Sequence, residues 1–265
     1  MRMWRAMLAL VLVGCGARID DSQSPQSGVD APRSTTGSPD APSGTTTDAP
    51  IGTTNDAPVT AARRVVYLNF AGTDIVKGTN QHSDATTNPP TVGWMYGTAT
   101  TGHAPAYGDQ GSVATITAGV TARLNNLAIV TTTRPTSGEY VMIIFGGTAN
   151  NVHSFFGGGV SQIDCGDLMK NDVGWLPDGM TAADAADAAI GAIELGLGLT
   201  SVNDPTDCTC EWGNYAHCTR TTSPCLLHDG ARIDQTVVND PNTGLPLKCS
   251  GTTQDEITTI TNAFK

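Results

Sequence analysis

The chain has no apolar run long enough to cross a bilayer as a helix. Basic residues are scarce: 14 Lys and Arg stand against 25 Asp and Glu, for a formal net charge of −11. An acidic, lysine-poor surface excludes nucleic acid as a partner and gives no electrostatic grip on anionic lipid. No GxSxG elbow surrounds Ser112, Ser154, Ser161 or Ser201, so serine hydrolysis has no support. Gly157-Gly158-Gly159 is followed by neither a lysine nor a helix start and is no phosphate cradle. EF-hand spacing is missing. Two further gaps fall in the second half of the chain: residues 154–216 contain no histidine, and no methionine comes after Met180.

What is present begins with MRMWRAMLALVLVGCGAR. Arg2 and Arg5 precede a short apolar run, Met7 to Val13, which reads as an export signal. Leu12-Val13-Gly14-Cys15 resembles the lipobox of bacterial lipoproteins. That resemblance implies removal of residues 1–14, acylation of Cys15 and, with Gly16 next, placement at the outer membrane or cell surface. Membrane attachment then comes from the acyl anchor. Losing Arg2 and Arg5 takes the charge from −11 to about −13. Residues 15–62 carry Asp-Ala-Pro at Asp30–Pro32, Asp40–Pro42, Asp48–Pro50 and Asp56–Pro58 amid Ser, Thr and Gly. So little apolar surface cannot offset ordering entropy, so a lipid-anchored disordered linker is expected, with a mean reach of roughly 35–40 Å. Its expected role is to hold a domain, residues 63–265, off the membrane.

In that domain RRVVYLNFAG reads as a strand ended by Gly72, and a polar Gly- and Thr-rich loop is expected to about Gly111. Ser112 to Leu127 has helical spacing, with Val113, Ile116, Val120 and Leu124 on one face. Residues 128–133 and 139–147 read as strands, with further short ones at Val160–Ile163 and Asp172–Leu176. Thr181 is a good N-cap with Asp184 three residues on, and the helix it starts runs to about Leu197. Thr253 and Glu256 are expected to cap a last helix carrying Ile257, Ile260 and Phe264. The order predicts an α/β (α+β) sandwich: a mixed sheet, two main helices and a disulfide-rich C-terminal subregion. Beyond Cys15 six cysteines remain, Cys165, Cys208, Cys210, Cys218, Cys225 and Cys249, and the last five of them lie in that subregion. An even number in an exported chain predicts up to three disulfides. Cys208 and Cys210 are too close to pair with each other comfortably, so each should reach a different partner. Cys208-x-Cys210 with His217-Cys218 is the zinc-cluster alternative.

VVYLNFAG, VTTTRPTSGEYVMIIFGG, IDCG and KNDVGWL before an alanine-rich helix, in that order, resemble secreted bacterial metzincin-like zinc peptidases over residues 64–205. The resemblance implies a last helix carrying HExxHxxGxxH, whose histidines bind zinc and whose glutamate activates water, above a methionine turn. Here that motif is degenerate. With Gly198 at the motif's glycine, Gly191, Leu195 and Ser201 stand where histidines belong and Ala192 replaces the glutamate. A rival register sets Ile193-Glu194-Leu195-Gly196-Leu197 on HELGH, keeping Glu194 but no ligand. At 100° per residue Ala186, Ala189, Ile190, Ile193 and Leu197 share one face; Asp184, Asp187, Gly191 and Leu195 lie opposite, which favours the first register. Asp204-Pro205-Thr206-Asp207 resembles the approach to the methionine turn, but Cys208-Thr209 follow.

The reading is a non-catalytic, surface-tethered lipoprotein whose degenerate metallopeptidase-like domain binds an extended peptide or protein along a strand edge. No cofactor is expected. Zinc has lost its ligands and its base. Asp184 and Asp187, a spacing that could share calcium, read as a solvated face at the helix N-terminus, and Glu194 as an exposed flank. His82, His103, His153, His217 and His228 are scattered in expected loops. The alternative is an active zinc metallopeptidase with a relocated site using His217 and His228.

Overall fold

The computed structural model describes residues 63–79, 82–212, 218–236 and 248–265. The expected signal, Cys15 and the Asp-Ala-Pro linker lie outside these residues, as does His217. Four short apolar segments make the main sheet: β1 (Val65–Asn69), β5 (Ile129–Thr131), β6 (Tyr140–Phe145) and β7 (Val173–Leu176). They lie side by side in the order β5-β1-β6-β7, all parallel, with Val66 opposite both Val130 and Val141. Parallel strands need crossovers. Helix α1 (Val113–Leu124) lies between β1 and β5 in the chain, and helix α3 (Ala182–Gly196) follows β7.

β6 is buried at all six positions because both faces of the sheet are covered. Val141, Ile143 and Phe145 join Val66 and Leu68 in one cluster with Ile116, Val120 and Leu124 of α1 and Ala186, Ala189, Ile190 and Ile193 of α3. Tyr140, Met142 and Ile144 join a second cluster with Tyr67, Val173, Trp175, Ile75, Val92 and Trp94. Ile75 and Val92 belong to a second sheet formed by β2 (Thr73–Lys77), β3 (Thr91–Val92) and β4 (Thr101–Ala104), ordered β3-β2-β4. The segment from Gly72 to Gly111, expected as a loop, therefore supplies a layer of the fold. Its strands are short and threonine-rich and lack the apolar alternation that announces a strand. The buried indoles are satisfied: Trp94 Nε1 donates to Val173 O at 2.8 Å and Trp175 Nε1 to Gly146 O at 2.8 Å.

Other expectations shift as well. Among the described residues the domain is mixed α/β with several sheets and four helices, the short α2 (Ala149–Val152) among them. The main sheet is parallel. The expected strand at Val160–Ile163 is a single antiparallel bridge between Val160 and Trp175 on the outer edge of β7. Thr253 does not cap the last helix. It pairs with Arg232 where β8 (Ala231–Arg232) meets β9 (Thr253–Gln254), and Asp255 is the N-cap of α4 (Glu256–Ala263). Ile260 and Phe264 of this terminal segment are buried in the helix-side cluster, whereas Ile257 is exposed.

All six cysteines pair: Cys165 with Cys249, Cys208 with Cys225 and Cys210 with Cys218. Cys208 and Cys210 each reach a different partner, as their spacing required. The zinc-cluster alternative is overturned, because Cys208, Cys210 and Cys218 are consumed in disulfides and cannot act as thiolate ligands.

Candidate functional site

Helix α3 is where the sequence places any residual chemistry. It begins as its sequence dictates: Thr181 Oγ1 accepts from Asp184 N–H at 3.1 Å and donates to Asp184 Oδ2 at 2.7 Å. It is not amphipathic in place, since every residue from Ala185 to Gly196 is buried. The alanines allow this by letting neighbours approach closely. A Cβ added at Gly119 of α1 would lie 2.9 Å from Ala186 Cβ. The face assigned to an open cleft is covered by Trp212 at Gly191 and by Arg220 and Cys225 at Asp187.

Each expected site position has a definite neighbour. A Cβ at Gly191 would stand 2.0 Å from Trp212 Nε1, so the indole rests directly on the helix backbone there. The same ring reaches toward Gly159, where a Cβ would stand 3.4 Å from Trp212 Cη2. Ala192 faces the sheet, near Gly174 of β7. Ser201 is buried and donates through Oγ to Cys210 O at 3.4 Å. Leu195 is buried, and its carbonyl accepts from Asp164 N–H at 3.1 Å. Gly191 and Ser201 therefore meet the same loop, while Ala192 points elsewhere.

Two acids on this helix depart from the sequence reading. Asp187 is not on a solvated face. It is wholly buried, with Oδ1 accepting from Arg123 Nε of α1 and from Cys225 N–H at 3.0 Å, and with Arg220 Nη2 3.6 Å from Oδ2. Any calcium shared with Asp184 would have to displace these cations. Glu194, expected as an exposed flank, is 0% exposed, and neither carboxyl oxygen has a hydrogen-bond partner among the described residues.

Around Glu194 lies a set of buried polar groups that no single segment foretells. Glu256 Oε2 accepts from His228 N–H at 2.7 Å and Oε1 from Gln254 Nε2 at 2.9 Å. Gln254 also brackets Thr200, donating to its carbonyl and accepting from its N–H, each at 2.9 Å. Asp207 Oδ1 accepts from Thr209 N–H and Oγ1 at 2.7 and 2.8 Å. Burial, then the charges of Glu256 and Asp207, push the Glu194 carboxyl well above the usual range. Burial and then Asp207 push Glu256 up to about 8, and burial raises Asp207 against its bonds to Thr209. A water-activating base needs reach to a substrate, and Glu194 is sealed from solvent.

A second acidic group sits at the other side of the C-terminal end of α3. Asp164, Asp167 and Asp172 bring carboxyl oxygens within 4.8 Å of one another. Arg64 already stands among them, with Nη1 2.7 Å from Asp167 Oδ1 and Nη2 3.4 Å from Asp172 Oδ2, while Lys170 Nζ is 2.5 Å from Asp167 Oδ2. Burial raises Asp172 to about 8 despite Arg64. The group is an ion-pair network with its cation supplied by the chain. Of the histidines, His103 lies in β4 beside Asp74 at 2.7 Å, and His228 Nε2 is 3.3 Å from Thr206 Oγ1.

Arg123, Trp212 and Glu256 were not singled out as site residues from sequence. Their convergence on α3 follows from contacts far apart in the chain, and no local pattern marks it. Among the described residues no helix is long and apolar enough to cross a membrane. Comparison with protein-family models, with curated proteins and with solved structures finds no match.

Proposed function

We propose that this chain is a non-catalytic, surface-tethered lipoprotein whose metallopeptidase-like domain captures an extended peptide. The observation that carries the reading is the seating of Trp212 on Gly191, with Glu194 sealed behind it. The helix that would carry the metal ligands is packed by an indole and has no water-accessible base. The crossover order, a helix after the last parallel strand, is compatible with the metzincin-like resemblance. The three disulfides suit an exported domain.

Peptide capture has support at the outer edge of the main sheet. Val160 exchanges two backbone bonds with Trp175, at 2.9 and 2.8 Å. Beyond it, the N–H groups of Ser161, Gln162 and Ile163 make no hydrogen bond among the described residues. Unpaired backbone beside a sheet edge is the template that strand addition uses. The N-terminal anchor at Cys15 and the Asp-Ala-Pro spacer would hold this edge away from the membrane.

The test is metal content and binding on the oxidised domain, residues 63–265, prepared without chelators. Less than about a tenth of an equivalent of zinc, together with binding of unstructured peptides but no cleavage, is the expected result, since zinc hydrolysis needs both a metal and a base. Near-stoichiometric zinc that is lost with His228→Ala would overturn the reading in favour of a relocated peptidase site.

A further inference from the structure

The buried carboxyls of the C-terminal region are a feature that peptide capture does not use. Glu194, Asp207 and Glu256 are each 0% exposed. They come from three separate places: α3, the loop after it and the first turn of α4. Glu194 Oε1 and Oε2, Asp207 Oδ2 and Thr200 Oγ1 have no amide or hydroxyl donor among the described residues. Orphaned buried polar atoms are rare in folded chains and call for an explanation.

Counter-charge does not supply one. Arg123 and Arg220 are held at Asp187, two turns up the helix, and Arg64 is held at Asp167 and Asp172. The base facing the group is His228, whose backbone N–H serves Glu256 and whose ring lies at Thr206. Asp204 beside it accepts from Thr206, Asp229 accepts from Thr258, and Asp255 accepts from Gly230. Three ionised carboxylates facing one imidazole in a dry interior would cost several kcal/mol each. The partnerless oxygens of Glu194 and Asp207 stay buried at least cost when these carboxyls keep their protons.

We propose that Glu194, Asp207 and Glu256 form a proton-held clasp, in which segments 204–212 and 254–260 stay docked on α3 while the carboxyls keep their protons and loosen when alkali removes them. The clasp is independent of whether the sheet edge captures peptide. Its sign follows from linkage. Burial raises the pKa of all three groups in the docked state, so docking binds protons. Docking is then fully favoured below the ordinary carboxyl range and weakens as pH rises through about 8, the value for Glu256. The Cys208–Cys225 disulfide limits the movement to a local loosening, because it holds the loop to the segment before β8.

Hydrogen exchange on the oxidised full-length chain from pH 5 to 9 tests this, once the intrinsic pH dependence of exchange is removed. In segments 204–212 and 254–260 the opening equilibrium should rise by about tenfold per pH unit for each proton released, with the Glu256 contribution levelling above about pH 8. Strands β1 and β6 should show no such rise. Glu194→Gln and Glu256→Gln should each lower the slope by about one proton, while Asp172→Asn leaves it unchanged. A flat wild-type profile in these segments, or an unchanged slope in both glutamine variants, overturns the clasp. Should either variant fail to fold, the wild-type contrast between tail and β6 still decides.

Discussion

The two halves of α3 bury an acid each, and they do so in opposite ways. In the first half Asp187 meets Arg123 from α1, Arg220 from the loop after Cys218, and the amide of Cys225. In the second half Glu194, seven residues on, meets other acids. Both are 0% exposed. Charge can be taken into an interior with partners, as at Asp187, or be disfavoured there by burial and neighbouring acids, as at Glu194. Which route a buried acid takes depends on what distant segments bring to it.

The sharpest way to break this contrast is to remove one acid at a time and follow chemical denaturation at pH 7. Asp187→Ala strands Arg123 in the interior and should destabilise the domain by about 3–5 kcal/mol. If Glu194 holds its proton, as the clasp requires, Glu194→Gln should change stability by less than about 1 kcal/mol under the same conditions. Equal losses at the two positions would show that Glu194 is ionised, and the contrast would collapse.

Between those acids the helix is closed by Trp212. Gly191→Ala places a methyl where the indole sits, and should cost about 1–3 kcal/mol by overpacking. Adding Trp212→Ala to Gly191→Ala should relieve that strain, so the double variant is less destabilised than the sum of the two single changes. Additive losses would mean that the ring does not rest on this turn.

The smallest expected effect is at the start of the helix. Thr181→Ala removes the cap to the Asp184 amide and should lower stability by about 1 kcal/mol, since this end is partly open to solvent. A loss as large as that of Asp187→Ala would mean that the first turn, not the buried ion pair, anchors α3.

Much of the main sheet was legible because its signals are local. Runs such as VVYLN and YVMIIF are rich in β-branched and aromatic residues, and turn residues bound them. The second sheet was not legible, because TDIVK and TGHA carry their strand character only through pairing partners 25 to 31 residues away. Helix α3 shows the limit of periodicity. Its apolar face was readable, but the opposite face carries Asp184, Asp187, Gly191 and Leu195, which fit a solvated surface or a buried ion pair beside a tight packing contact equally well. The positions Gly191, Ala192, Leu195 and Ser201 could be named from the chain; that Trp212 covers Gly191 could not.

The sequence alone determined the strands of the main sheet, the helices α1 and α3, the N-cap at Thr181, and the need for Cys208 and Cys210 to find different partners. These follow from backbone geometry and neighbouring residues. Only the tertiary structure decided the disulfide connectivity, the arginine pairing of Asp187 and the burial of Glu194 among acids. A carboxyl's exposure and charge are set by the dielectric and the partners that folding assembles around it, and those partners come from segments dozens of residues away.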